Sequence, residues 1–422
     1  MLKKPPLMRK HNFDKNFLIF SAIFFIIFLI LSIYYFTRIY QPWGTSWTDF
    51  TVMHRAGQRI IKGEPIYDPS DSSNYGIDLY KYSPAFACFM SPFTKVHMHI
   101  SVPIWYLFTF ILILSSIYLV KRIIIESNKE KSLPVYFYFL SFFLTLRFLL
   151  VLLSRVQSDF LVLFFLVLSI WFLRLKREVL SGFSLATAIM VKITPLIFIP
   201  YFIYRKFYKA AFASCAGILL YLWLPSLNLG WEKNVSYLKG WLNLLFASTP
   251  ELILWYKNQS LLSCIFRLFS GNSPVRIFLL PPLLIKGIFL LIASLMIFFA
   301  LYFCRNLVFY KKKEFSFGHL LEFSLILICM VLFSPLAWKH TFLHLLVGHM
   351  VLVYYLMKNH KDKVALVLVI ASFVLNSILN PEVLKSLDDV VSLYSNMTAG
   401  TLLLYMALLR AAYRLRGSSY AE

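Results

Sequence analysis

With 422 residues, of which 59% are apolar or aromatic and only 14% charged, the chain cannot cover itself with polar surface. Its solvent must be largely lipid, and a soluble domain is excluded. A net charge of +23 would suit nucleic acid, yet positive-inside loops make membrane proteins basic as a matter of course, so no nucleic-acid partner is expected.

The first apolar run, 16–38, follows a basic N-terminus. It has no small-residue cleavage site and is too long for a signal peptide, so it reads as an uncleaved first span. Further apolar runs lie at 102–120, 134–153, 159–173, 180–191, 195–204, 210–226, 279–303, 320–334, 342–357, 364–379 and 396–411. They predict an all-α polytopic membrane protein of about twelve transmembrane helices. The short pair 180–191 and 195–204 reads alternatively as one helix bent near Pro195. Charge resolves it. Of the 42 Lys and Arg, 25 fall in seven short stretches at 1–15, 121–131, 174–178, 205–209, 305–313, 358–363 and 410–416. All seven share one side, the cytoplasm, only if the pair counts as two spans. Both termini are then cytoplasmic, in a cell inner or plasma membrane.

The opposite side receives 39–101 and 227–278, which read as ordered extracytoplasmic loops with interfacial helices. No internal repeat or appended soluble domain is visible, so 1–422 reads as one transmembrane domain. The cytoplasmic loops look short and merely basic, while unusual polar residues gather on the outer face. No phosphate-binding glycine loop or dinucleotide fingerprint is present, so any chemistry is expected outside and without a soluble nucleotide. The five Cys (88, 215, 264, 304 and 329) show no metal or disulfide spacing and read as packing residues.

Asp49 follows the first span, and Phe50, Met53, Ala56, Ile60 and Ile61 continue at helical spacing. A carboxylate at a membrane mouth suits a general base; Thr48 or Asp49 would equally cap the helix. Gly63-Glu64-Pro65 stops that helix, Tyr67-Asp68-Pro69 turns, and Tyr82-Ser83-Pro84 starts the next element. Arg155, Gln157 and Asp159 crowd a short outer turn, where Arg suits a phosphate, Gln suits sugar hydroxyls, and a plain polar hairpin tip fits as well. Lys192 ends an apolar helix on the outer side, against the charge rule. It could bind a lipid phosphate, pair with Asp159 or snorkel. Asn258-Gln259-Ser260, Asn234-Val235-Ser236 and Asn396-Met397-Thr398 are glycosylation sequons of low specificity. After Pro335 come Trp338, Lys339 and His340: a Lys–His pair for a leaving phosphate and a Trp for a sugar or prenyl chain, or else an interfacial anchor. Arg147 inside the third span calls for an interhelical partner.

The order of these motifs carries more than any one of them. Asp-Phe, G-x-P-x-Y-D, Y-S-P, a Gln-containing outer turn, K-x-x-P, N-Q-S and S-P-x-x-W-x-H run from Asp49 to His340. This resembles glycosyltransferase family 87, polyprenol-phosphate-mannose-dependent mannosyltransferase-like membrane proteins of the GT-C fold. The resemblance implies a sugar, mannose first, carried on a polyprenyl phosphate. It implies transfer with inversion to a glycolipid or cell-envelope glycan acceptor on the extracytoplasmic face. It places Asp49 as the base. Arg155, Gln157, Lys192, Asn258, Trp338, Lys339 and His340 would meet the donor, and Tyr67 and Tyr82 would position the acceptor or the loop. No cofactor or metal is expected. The chain departs from the family where G-Q-x-N is common and Val156-Gln157-Ser158-Asp159 stands here, and where Lys339 replaces a histidine. A transporter or flippase of a lipid-linked saccharide is the main alternative. A non-catalytic scaffold, which would not need Asp49, is another.

Overall fold

The computed structural model describes residues 14–39, 49–68, 79–309, 315–379 and 388–418. Among them the protein is helical throughout and contains no strand. Each apolar run of the sequence is helical. Five segments are long and apolar enough to cross a membrane: Lys15–Arg38, Met98–Asn128, Tyr208–Leu229, Pro282–Arg305 and Lys339–Lys358. The bent pair Val135–Phe143 and Leu146–Arg155 makes a sixth if taken as one span. Glu178–Val191, Thr194–Tyr204, Phe317–Phe333 and Lys363–Ile378 are apolar but shorter. By length and composition, then, five or six helices qualify as crossings, fewer than the twelve runs suggest.

Burial explains why a short helix suffices. Helix α1 (Lys15–Ile39) turns Phe20, Phe24 and Phe28, at helical spacing, onto Phe110, Tyr138 and Phe142. It leaves Leu18, Ile26, Ile30 and Ile33 outward, as a lipid-facing helix does. Helix α15 (Phe317–Phe333) is buried from Phe317 to Leu332. Its neighbours rather than lipid surround it, so its length of about 25 Å need not match a bilayer.

The pair Val135–Phe143 (α5) and Leu146–Arg155 (α6) bends by 59°. Thr145 sits at the break and bonds to the Ser141 carbonyl (3.0 Å) and to His349 Nδ1 (2.9 Å). Arg147 donates to the carbonyl of Asn376, within the π-helical turn Val374–Ile378. The interhelical partner expected for Arg147 is therefore a backbone carbonyl that a π-turn displaces from its ladder.

Side-chain bonds tie the connections into two groups, one at each end of the bundle. At the basic end, Lys121 holds Asp14 (2.6 Å), Arg174 holds Glu126 (3.0 Å), Lys358 holds Glu130 (2.5 Å) and Arg410 holds Asp362 (2.6 Å). Arg205 and Tyr201 both grip Glu322, fully buried inside α15. This corrects the expectation that the basic end is merely basic: five of its cations have acidic partners far away in sequence. The other end gathers residues 49–68, 79–97, 156–159, 192 and 252–260 with 334–344.

Candidate active site

Helix α2 (Asp49–Lys62) begins at Asp49. Phe50, Met53, Ala56 and Ile60 are buried as their spacing predicts, while Ile61 is 57% exposed. Phe50 packs on Trp105 (ring centroids 5.5 Å apart), which fixes the first turn of α2 against the bundle. The helix stops at Lys62 because Gly63 takes φ +70°. Thr48, the alternative cap, lies outside the described residues.

Gln157 is the hub of the site. It is 3% exposed and lies in the tight turn between α6 and α7 (Asp159–Arg174). Its Nε2 donates to Asp49 Oδ2. The Tyr82 hydroxyl donates to Gln157 Oε1 (3.3 Å) and accepts from Ser158 Oγ (3.2 Å). The Tyr67 hydroxyl donates to the Tyr82 carbonyl (2.7 Å), and Trp105 Nε1 donates to the Gln157 carbonyl (3.1 Å). Ser83 caps the next helix through Phe86 N–H and donates to the Met190 carbonyl (2.7 Å), pinning this loop to the end of α8 (Glu178–Val191). Asp49 is thus aimed by a chain of bonds running from Tyr67 through Tyr82 and Gln157.

Beside it lies a second carboxylate. Asp159 is fully buried at the N-terminus of α7, and its Oδ2 meets Lys192 Nζ at 2.7 Å and His340 Nε2 at 3.5 Å. The pairing of Lys192 with Asp159 was one of the readings open in the sequence. His344, one helical turn beyond His340, donates Nδ1–H to the Thr341 carbonyl (2.6 Å) and faces the same carboxylate. Arg155 is exposed at the end of α6 and acts on Asp49 through its charge.

Trp338 and Lys339 are half-buried, and Trp338 stands edge-on to Trp255 with centroids 5.2 Å apart. Asn258 behaves differently from the other candidates. It is fully buried, and its amide donates to the carbonyls of Pro335 (2.9 Å) and Leu252 (3.2 Å) while its Oδ1 accepts from Ala337 N–H (3.1 Å). Gln259 ties the same loop to Ser392 and Thr398, and Arg267 to Trp255, Asn258 and Ser395. The N-Q-S motif is a knot that shapes the S-P-x-x-W segment. The sequon asparagines 234, 258 and 396 are all buried with their amide nitrogens bonded, so the fold offers none of them to a glycan.

Burial pushes the Asp49 carboxyl up to about 6. Arg155, Lys192 and the Gln157 bond pull against that rise, and Asp159 adds to it. Burial likewise holds the Tyr82 hydroxyl far above its usual range, so it stays a donor. A base that is partly protonated near neutrality, with cations beside it, suits proton removal from a hydroxyl.

The structure therefore gathers Asp49, Tyr67, Tyr82, Arg155, Gln157, Lys192 and His340 into one cluster, with Trp338 and Lys339 half-buried just before His340 and Asn258 fastening the segment that carries them. Sequence reasoning passed over Trp105, Ser158 and His344. For His344, the four-residue spacing from His340 was the available signal.

The profile of glycosyltransferase family 87 matches residues 80–335, more than half of the chain. No curated protein and no solved structure matches it. The matched stretch holds Tyr82, Gln157, Lys192 and Asn258; Asp49 lies before it and Trp338–His340 just after, joined to it by the bonds above. The helical bundle, the clustered mouth and the matched profile lead to one assignment: the chain belongs to glycosyltransferase family 87 and is a membrane glycosyltransferase.

Proposed function

We propose that the protein transfers a sugar, mannose as first choice, from a polyprenyl-phosphate donor to a glycolipid or cell-envelope glycan. Transfer takes place on the extracytoplasmic face with inversion. Asp49 takes the proton of the acceptor hydroxyl as its oxygen attacks the anomeric carbon. The bond from that carbon to the phosphate oxygen breaks, and prenyl phosphate leaves with its charge met by Lys192 and Arg155 and by a hydrogen bond from His340. Trp338 offers a face to the sugar or prenyl chain, with Lys339 beside it. Gln157, Tyr82, Tyr67 and Asn258 aim the reacting groups. The donor's own phosphoester drives the reaction, so no nucleotide, cofactor or metal enters.

In this reading the twelve helical runs form a GT-C-type bundle within one domain. Loops 39–101 and 227–278 face outward and both termini face the cytoplasm. The observation that carries the function is the partly buried Asp49 carboxylate, its acidity weakened to about 6, held by Gln157 beside the Lys192–Asp159–His340 cluster. The test is transfer of radiolabelled sugar from a panel of synthetic prenyl-phosphate sugars into membrane lipid extract, comparing wild type with Asp49→Asn. Label moved by wild type alone supports the reading and names the sugar. Equal transfer by both removes Asp49 from the chemistry.

A further inference from the structure

We infer that Asp159 is an internal competitor of the donor phosphate: its carboxylate holds the anion position between Lys192 and His340, and a prenyl phosphate must displace it from Lys192. The inference rests on the phosphate reading of this mouth. One oxygen, Oδ2, meets both nitrogens, at 2.7 Å and 3.5 Å, as a phosphate oxygen would. The other, Oδ1, is buried without a hydrogen-bond partner, as is Nε2 of His344 beside it. A carboxylate placed only to be satisfied would use both oxygens.

Exposure separates the two partners. The Asp159 side chain is 0% exposed and that of Lys192 is 20% exposed. The cation therefore looks out of the mouth and the carboxylate stands behind it. Lys192 has a flexible four-carbon stem, so its ammonium can turn from one anion to another without moving the backbone. Asp159 lies at the N-terminus of α7, where the helix dipole favours an anion.

Exchange of anions at one cation has a kinetic use. The donor is a phosphodiester with one negative charge, whereas the prenyl phosphate that leaves carries about 1.5 to 2 at neutral pH. Lys192 and Arg155 would retain the product more strongly than the donor. A carboxylate that reclaims Lys192 weakens both complexes and speeds product release. Asp159 is thus a positioning residue that acts through Lys192.

The experiment measures binding of farnesyl phosphate to purified full-length protein by calorimetry, with farnesol as the uncharged control. Asp159→Asn, nearly isosteric, removes the competing charge, and its Kd for farnesyl phosphate should fall about tenfold below wild type. Lys192→Ala should weaken binding, and the double variant should show no gain from Asn. If Asp159→Asn loses its thermal transition, Asp159→Ser is read in its place; loss of the fold in both makes Asp159 a structural counter-ion and overturns the inference. Wild type that binds farnesyl phosphate as well as Asp159→Asn does, or better, also overturns it while leaving the phosphate site intact. Farnesyl phosphate that binds wild type and variants no better than farnesol removes the phosphate reading itself.

Discussion

The two ends of the bundle use charge in opposite ways. At the basic end five carboxylates are taken by cations: Asp14 by Lys121, Glu126 by Arg122 and Arg174, Glu130 by Lys358, Asp362 by Arg410, Glu322 by Arg205. Apart from Arg122–Glu126, which lies within one helix, these pairs join distant segments, so these carboxylates serve the fold. At the other end, Asp49 is held by an amide rather than a cation, and Asp159 shares one oxygen between two nitrogens while its second goes unbonded. Paired charge there would staple the mouth shut; incomplete pairing leaves it able to bind and to move a proton. The difference separates charges that hold the fold from charges that do chemistry.

The comparison breaks most readily at Asp49. Asp49→Asn keeps the shape and the Gln157 contact while removing the base, so transfer should fall about a thousandfold. The thermal transition should stay within about 0.5 kcal/mol of wild type. The pH profile sharpens the point. Only the deprotonated carboxylate accepts a proton, so kcat/KM should drop about tenfold per pH unit below about 6 and level off above it. A flat profile through this range would assign the base elsewhere.

The basic end should answer in the other currency. Glu322→Gln leaves the Arg205 guanidinium inside the bundle without its carboxylate, and stability should fall by about 3 kcal/mol. Replacing both partners, Arg205→Met with Glu322→Leu, should recover most of the loss. Thermal unfolding in detergent reads both, and transfer per folded molecule should be unchanged. A loss of transfer without a loss of stability would erase the distinction between the ends. Asn258→Ala belongs between the two kinds. It leaves the Ala337 N–H unbonded and the Pro335 carbonyl with Ser260 alone, at about 2 kcal/mol, and loosens the segment carrying Trp338 and His340, so stability and transfer should fall together.

Much of this was legible in the sequence because it is local. Apolar runs give helices, and the period of Phe50, Met53, Ala56 and Ile60 gives the inner face of α2. Lys192 stands out because it breaks the charge rule, and its partner Asp159 lies at the next polar turn. What was not legible is long-range. Glu322 sits in an apolar run with nothing nearby to pair it, and Arg205 lies 117 residues earlier. Asn258 looked like a ligand because a buried backbone clamp and a substrate contact favour the same amide. All twelve runs are helical, yet only five or six qualify as crossings by length and composition, because hydropathy does not tell a helix walled by protein, such as α15, from one walled by lipid.

The smallest effect bears on how the mouth is held. Val156, the residue before Gln157, has φ +51°, in the left-handed region where a β-branched side chain crowds the backbone. The related pattern G-Q-x-N has glycine there, and glycine carries no such penalty. Relief of about 1–2 kcal/mol of backbone strain, less the extra freedom glycine gives the unfolded chain, would by itself make Val156→Gly more stable by about 0.5 kcal/mol. Val156 is also 1% exposed within the core, and loss of its side chain opposes that gain. The sign of the measured change therefore reports which matters more at this turn, backbone or packing. If stability rises and transfer is unchanged, Gln157 is held by Tyr82, Trp105 and Asp49 alone. If stability rises and transfer falls, the strained turn itself aims the amide at Asp49, and the site trades stability for position.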